Sequence, residues 1–299
     1  MDDNYSNEPE RGNRWEWPNQ LLAPPIYSSV FRREIALVTR GEILAIQPLE
    51  TTCGSLPSSL KGVGKVLGGK PSKMGEYPFI LSLESNGNQF CGASAIGDYW
   101  ALTAAHCVDV STRESETYEL RAGTLIKGVN GTVHHVTKVI VHHGFNYRHL
   151  DNDIALIQVA EPFSKNKYVK YVRLPDQGEI TPVGTKAWVA GWGLTKPDME
   201  GSTSSLMHTN VDILETGRCE DNPRLSGINA ITSNMLCAER KGKDSYKGDS
   251  GGPLVVKRGK DVEQIGIVSW GDYTGKHVFP GIYTKVSQFR LWIYLKAKI

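Results

Sequence analysis

Gly248-Asp249-Ser250-Gly251-Gly252-Pro253 is the stretch on which the reading of this 299-residue chain turns. Three glycines around one serine describe a turn too tight for side chains, and their spacing matches the G-x-S-x-G pattern of a nucleophile elbow. Two other segments carry complementary chemistry. In Leu102-Thr103-Ala104-Ala105-His106-Cys107 a histidine follows a strand end, and in Asp151-Asn152-Asp153-Ile154-Ala155-Leu156 an aspartate opens a buried strand. Singly, these are a polar loop residue, a turn former and a tight turn. An α/β-hydrolase would require the chain order serine, acid, histidine; the order here is histidine, aspartate, serine, which excludes that fold.

From Val66 onward the texture is of short apolar runs bounded by Gly, Asn, Asp or Pro. Pro78–Leu83, Trp100–Thr103, Thr137–His142, Asp153–Val159, Ala187–Val189, Gln264–Trp270 and Gly281–Val286 read as strands, rich in β-branched and aromatic residues. Strands this short and this close predict an all-β sandwich or barrel. The last segment, Val286–Lys298, places Phe289, Trp292, Ile293 and Leu295 at helical spacing and predicts one amphipathic terminal helix packed on the β-structure. Residues 1–65 differ: a polar start with Pro and Trp, mixed charge over Phe31–Ile46 with a short helix expected at Arg32–Val38, then a Ser/Pro/Gly-rich stretch.

Composition narrows the function. Lys plus Arg (34) against Asp plus Glu (32) leaves a net charge of +2 without basic runs, which argues against an electrostatic nucleic-acid binder. No apolar stretch approaches the ~18 residues of a membrane span. The polar, acidic N-terminus shows no apolar leader segment. The five cysteines (Cys53, Cys91, Cys107, Cys219, Cys237) form no C-x-x-C pair, so zinc-finger and thioredoxin chemistry lack their signature. Two disulfides plus one spare thiol is the simplest arithmetic and implies an oxidising compartment.

With the three segments in that order, the chain resembles the chymotrypsin/trypsin family of serine proteases from about Val66 to Ile299. Further landmarks follow in family order: Cys91-Gly92-Ala93-Ser94, Ala190-Gly191-Trp192-Gly193, Ile231 to Ala238, Ile267-Val268-Ser269-Trp270-Gly271 and Pro280-Gly281-Ile282-Tyr283-Thr284-Lys285-Val286. The resemblance implies two six-stranded antiparallel β-barrels with the site in the cleft between them. It implies one catalytic unit, 66–299, behind an N-terminal extension or propeptide, 1–65. Within it, Ser250 would be the nucleophile, His106 the base and Asp153 the group that holds the imidazole. The N–H groups of Gly248 and Ser250 would form the oxyanion hole. Asp244 would floor the primary pocket, with Ser245, Ser269 and Trp270 beside it and Gly271 and Gly281 as small walls, so that cleavage falls after Arg or Lys. Lys247, just outside, would disfavour further basic residues near the scissile bond.

The resemblance also implies a zymogen. Cleavage after Lys65 in Gly64-Lys65-Val66-Leu67-Gly68-Gly69 would free the α-amino group of Val66 to pair with Asp249. Bridges Cys91–Cys107 and Cys219–Cys237 follow from the family pattern. Two other family bridges are missing, one with Tyr246 and Thr274 in its places (Tyr246 filling the gap by packing), the other with Ala187 and His208. Cys53 lacks an evident mate, since Arg173 stands where some relatives keep one, and its partner is unknown. No cofactor is expected. No calcium is expected either, because Gly123 to His143 contains no Asp or Glu. The His134-His135 and His142-His143 pairs read as solvated strand histidines, since adjacent strand residues point to opposite faces. Asn130-Gly131-Thr132 is a glycosylation sequon. The expected partners are protein or peptide substrates with Arg or Lys at the cut, an activating protease and protein inhibitors, for an extracellular enzyme whose Met1 is internal or an alternative start. The alternative is a catalytically silent, protease-shaped binding module.

Overall fold

The computed structural model describes residues 69–108, 117–193, 204–220, 231–239, 249–271 and 280–299. All lie within the unit Leu60–Ile299. The boundary at 65/66 and the short helix at Arg32–Val38 lie outside the described residues.

Six strands close the first barrel: β2 (Ile80–Ser85), β3 (Asn88–Ala95), β4 (Trp100–Thr103), β5 (Tyr118–Ala122), β6 (Thr132–Val141) and β7 (Ala155–Val159), in the order β2-β3-β4-β7-β6-β5. Asn86 and Gly87, both at positive φ (51° and 75°), make the tight turn between β2 and β3. Two consecutive left-handed residues match the right-handed twist of a hairpin, which is why Asn-Gly stands there. Leu81, Leu83, Leu102, Leu120, Leu156 and Ile157 fill the barrel, each fully buried.

The second barrel takes β8 (Lys186–Gly191), β9 (Met207–Ile213), β10 (Met235–Glu239), β11 (Pro253–Arg258), β12 (Asp261–Trp270) and β13 (Gly281–Lys285). It runs β9-β10-β13-β12-β11-β8 and closes through β8–β9 pairing. A two-residue strand, β1 (Lys70–Pro71), adds to β9 from outside the ring. Both barrels of the expected architecture are therefore present, all pairings within them antiparallel.

Several bounds differ from the sequence reading. β1, β3, β5, β9, β10 and β11 were not expected as strands, and β6 begins five residues before Thr137. In β9 the reason is visible: buried residues alternate with the less buried His208, Asn210 and Asp212, so the run lacks the continuous apolar signal of a strand buried on both faces. The terminal helix begins late. Val286–Gln288 form a single 3-10 turn, and α3 covers Arg290–Ala297. Phe289 and Ile293 join a buried cluster built mainly from the first barrel, and Phe289 packs against His142 just past β6, although α3 hangs from the last strand of the second. Leu295, counted among the packing residues, is 56% exposed. Two residues from Ile293 is about 200° around a helix, so the two side chains cannot share a face. Among the described residues no helix is long and apolar enough to cross a membrane.

Candidate active site

β4 ends at Thr103, and the chain turns at once into the four-residue helix α1 (Ala105–Val108), which carries His106. Cys107 is bridged to Cys91 on β3, which pins the turn to the barrel wall. Asp153 is fully buried and grips His106 twice. Its Oδ1 accepts the His106 backbone N–H at 2.9 Å, and its Oδ2 meets Nδ1 at 2.7 Å. One carboxylate on both the backbone and the ring of one residue fixes the imidazole orientation and assigns the Nδ1–H tautomer. The other ring nitrogen, Nε2, lies 3.7 Å from the Cys107 sulfur.

Asp153 belongs by chain to the first barrel, but its other partners belong to the second. Ser269 on β12 donates to Oδ2 at 2.5 Å, and Thr284 on β13 donates to the Asp153 carbonyl at 2.7 Å. Immediately before it in the chain, Thr232 donates to Asp151 Oδ1 at 2.7 Å and Asn234 to Asn152 Oδ1 at 3.1 Å. Four second-barrel side chains thus hold the segment that carries the acid. A buried carboxylate needs such donors to remain ionised at acceptable cost. Thr232, Asn234 and Thr284 stood in the sequence only within family-like runs, with no role assigned to them, and the bond of Ser269 to the carboxylate was not expected.

Ser250 sits on a turn tethered to both barrels. Its carbonyl accepts from Gly92 N–H at 2.8 Å, next to the Cys91–Cys107 bridge. Gly251 N–H donates to Val268 O at 2.8 Å, one residue before Ser269. The glycines are sterically required. Gly251 has φ +80°, and a Cβ there would meet the Gly92 carbonyl at 2.5 Å and the Thr103 hydroxyl closer still. A Cβ on Gly92 would stand 3.0 Å from Gly252 Cα. The serine turn, the histidine turn and the aspartate segment are therefore brought to one seam between the barrels.

Asp249, next in chain to Ser250, is buried, and its Oδ1 accepts Gly193 N–H at 2.9 Å. A Cβ on Gly191 would collide with this carboxylate, so the Ala190-Gly191-Trp192-Gly193 run is shaped around it. Ser269 and Trp270 are buried, and a Cβ on Gly271 would lie 3.5 Å from Gly281 Cα, which makes these two glycines neighbours across strand ends. Cys219, in α2 (Thr216–Glu220), is bridged to Cys237 on β10, behind Trp270. Lys65, Val66, Asp244, Ser245, Tyr246, Lys247, Gly248, Thr274 and Cys53 lie outside the described residues.

Two expectations about histidines need correction. His134 is 5% exposed, its ring between Thr132 Oγ1 (2.9 Å) and the Glu161 carbonyl (3.0 Å), so it is a core histidine rather than a solvated one. His142 and His143 stand beyond the end of β6, where the rings lie 4.5 Å apart between centroids, tilted by 32°, instead of parting to opposite faces. Ala187 and His208 are not opposite each other either. Ala187 pairs with Val211 and His208 with Ala190, three residues along the ladder, while the His208 side chain meets Ser72. The tight group of His106 with Cys91 and Cys107 could not bind a metal through sulfur, because both sulfurs are spent in the disulfide. Asn130 is exposed in the turn before β6, at φ 61°.

Comparison with known proteins agrees with this geometry. The sequence pattern of the family described as Trypsin matches residues 66–293. A trypsin of Phaedon cochleariae is 34% identical over 242 residues, covering 79% of this chain and 89% of that protein. Transmembrane protease serine 7 of Mus musculus is 37% identical over 238 residues, and transmembrane protease serine 11C of Mus musculus is 34% identical over 252. The matched region spans only 28% and 57% of those two relatives. On the strength of the matched span and of the identity to a trypsin over 89% of its length, the chain belongs to the trypsin family of serine endopeptidases.

Proposed function

We propose that the chain is an endopeptidase cleaving after Arg or Lys through Ser250, His106 and Asp153, made as a zymogen and switched on by cleavage after Lys65. The observation that carries this reading is the double grip of Asp153 on His106, 2.9 Å to the backbone and 2.7 Å to the ring. His106 takes the Ser250 proton as the hydroxyl attacks the scissile carbonyl and later gives it to the leaving amine. Asp153 stabilises the imidazolium without taking the proton. The N–H groups of Gly248 and Ser250 receive the oxyanion, and losing one such donor typically costs about 10²–10³ in turnover. Water then resolves the acyl-enzyme by the same route in reverse.

Asp244, with Ser245 beside it, receives the substrate cation between the walls Gly271 and Gly281; Trp270 flanks the peptide. An activating protease frees Val66, whose α-ammonium pairs with Asp249 in the buried site shaped by Gly191 and Gly193. Two disulfides and the exposed sequon at Asn130 suit an extracellular protein that meets protein substrates and protein inhibitors. A fluorophosphonate probe tests the reading. Labelling of Ser250 after cleavage at Lys65, with loss of labelling in Ser250→Ala and slow labelling in Lys65→Gln, is expected. Absence of labelling in the cleaved protein would favour the silent binding module, and equal labelling of uncleaved Lys65→Gln would remove the zymogen. Loss of Arg/Lys preference in Asp244→Ser, with probe labelling retained, is the expected result for the pocket.

A further inference from the structure

The catalytic unit begins with its weakest strand. β1 makes two register pairs with β9, Lys70↔His208 and Pro71↔Met207, and Pro71 has no N–H to give. Two such pairs at a sheet edge are too few to resist fraying. The fastening comes from the residue that follows. Ser72 is buried; its N–H donates to the Leu206 carbonyl at 2.9 Å, and its hydroxyl meets His208 Nδ1 at 3.1 Å. His208 Nε2 faces Glu76 Oε1 at 3.8 Å, while Glu76 Oε2 closes the turn by accepting Lys73 N–H at 2.8 Å. The Tyr77 ring covers the imidazole at 5.3 Å between centroids. Burial holds the His208 ring below its ordinary range, with Glu76 opposing and Lys70 and Lys257 assisting. The neutral ring accepts from Ser72 and turns an N–H toward Glu76.

The location of this cluster matters. On its other side β9 pairs with β8, His208 with Ala190 and Met207 with Gly191. Gly191 is the residue whose missing Cβ makes room for the Asp249 carboxylate. β1, β9 and β8 thus lie in a row, with Asp249 against the third. Two strand spacings are about 10 Å. The four residues from Val66 to Gly69 span at most about 13–14 Å. A slip of β1 by one residue, about 3.3 Å, is about a quarter of that reach.

We propose that His208 is a positioning residue: by gripping Ser72 and facing Glu76 it locks β1 in register and delivers the α-amino group of Val66 to Asp249. This rests on the activation reading above. The test uses the full chain cleaved after Lys65, as wild type and as His208→Ala, His208→Gln and Ser72→Ala. Cyanate carbamylation of the Val66 α-amino group is followed by mass spectrometry, alongside kcat, KM and melting temperature. His208→Ala and Ser72→Ala should raise the carbamylation rate about three- to tenfold, the range expected for one net hydrogen bond, with activity lost at the same rate. His208→Gln, which can still accept from Ser72 and donate toward Glu76, should restore most of the protection. Wild-type and His208→Ala proteins protected alike would overturn the role of His208 and leave the activation reading standing. A wild-type amine as reactive as that of a free peptide of residues 66–72, in an active enzyme, would overturn the activation reading itself. Equal loss of protection in the Ala and Gln variants, together with a lowered melting temperature in both, would reduce His208 to a packing residue and overturn the proposal.

Discussion

Ser269 and His106 bind the same oxygen of Asp153, from opposite barrels, at 2.5 and 2.7 Å. The carboxylate is therefore held by donors on both sides, and each limits its freedom to turn toward the other. Replacing Asp153 by Asn should lower kcat about 10⁴-fold, since the amide selects the wrong imidazole tautomer. Ser269→Ala should cost about ten- to a hundredfold in kcat with little change in KM, the worth of one hydrogen bond to a charged group. Steady-state kinetics on a peptide amide would decide; a Ser269→Ala protein with unaltered kcat would show that the shared oxygen needs only one donor.

Gly191→Ala should give a folded but inactive protein. The new methyl group would take the place of the Asp249 carboxylate, which is 2% exposed and has nowhere to retreat. Gly251→Ala should be worse, because at φ +80° the added Cβ meets backbone as well. Active-site titration beside thermal melting separates the two, and a fully titratable Gly191→Ala protein would contradict the packing described here.

Glu84 is fully buried, and Arg121 grips it through Nε at 2.9 and 3.2 Å and Nη2 at 3.0 Å, with Ser82 donating at 2.9 Å. Removing one partner of such a pair leaves a stranded charge, so Arg121→Ala should destabilise by about 3–5 kcal/mol. The double variant Glu84→Leu/Arg121→Met should recover most of that loss, because an apolar pair strands nothing. Chemical denaturation of the three proteins would check both halves of the expectation.

His142 packs edge-on against Phe289 and Trp292 of the terminal segment, and its Nδ1 accepts Gly144 N–H at 3.2 Å. Burial first, and His143 second, hold this ring below the ordinary value of 6.5, with Asp151 opposing. The unfolded chain then takes the proton before the folded one. Stability from this residue should be complete above about pH 6.5 and lost as pH falls toward the folded pKa. Melting temperatures from pH 8 to 5 should therefore decline, and His142→Gln should flatten part of the slope; His208 shifts in the same direction and adds to it.

Strands with unbroken apolar runs, such as Asp153–Val159, were legible because burial on both faces leaves a continuous signature. β9 was not, because His208, Asn210 and Asp212 interrupt its apolar residues and a further polar residue, Thr209, stands among the buried positions. The order of histidine, aspartate and serine was legible, and so was the tight glycine turn, since both are local. The hydroxyls that hold Asp153 were not: Ser269 and Thr284 lie 116 and 131 residues away, and nothing in a serine or threonine announces a partner at that distance. That Ala187 and His208, the two places of a missing family bridge, stand apart on the ladder has the same origin. Register between β8 and β9 is set by which residues face the core, and a slip of three residues cannot be seen in either strand alone.

The first described strand of the chain, β1, belongs to the second barrel, and the last helix, α3, is seated in the first. Each barrel therefore keeps hold of one end of the other's polypeptide, as two people do who have linked arms. Neither half can leave while the other is intact, whatever happens to the covalent link between them. That link passes through an exposed stretch in which Ile180 is 77% and Val183 64% accessible. A protease nick there should yield two fragments that travel together and still hydrolyse substrate, and that part only in denaturant. Heating the nicked and intact proteins should give one unfolding transition each, because the cleft walls are a single mechanical body.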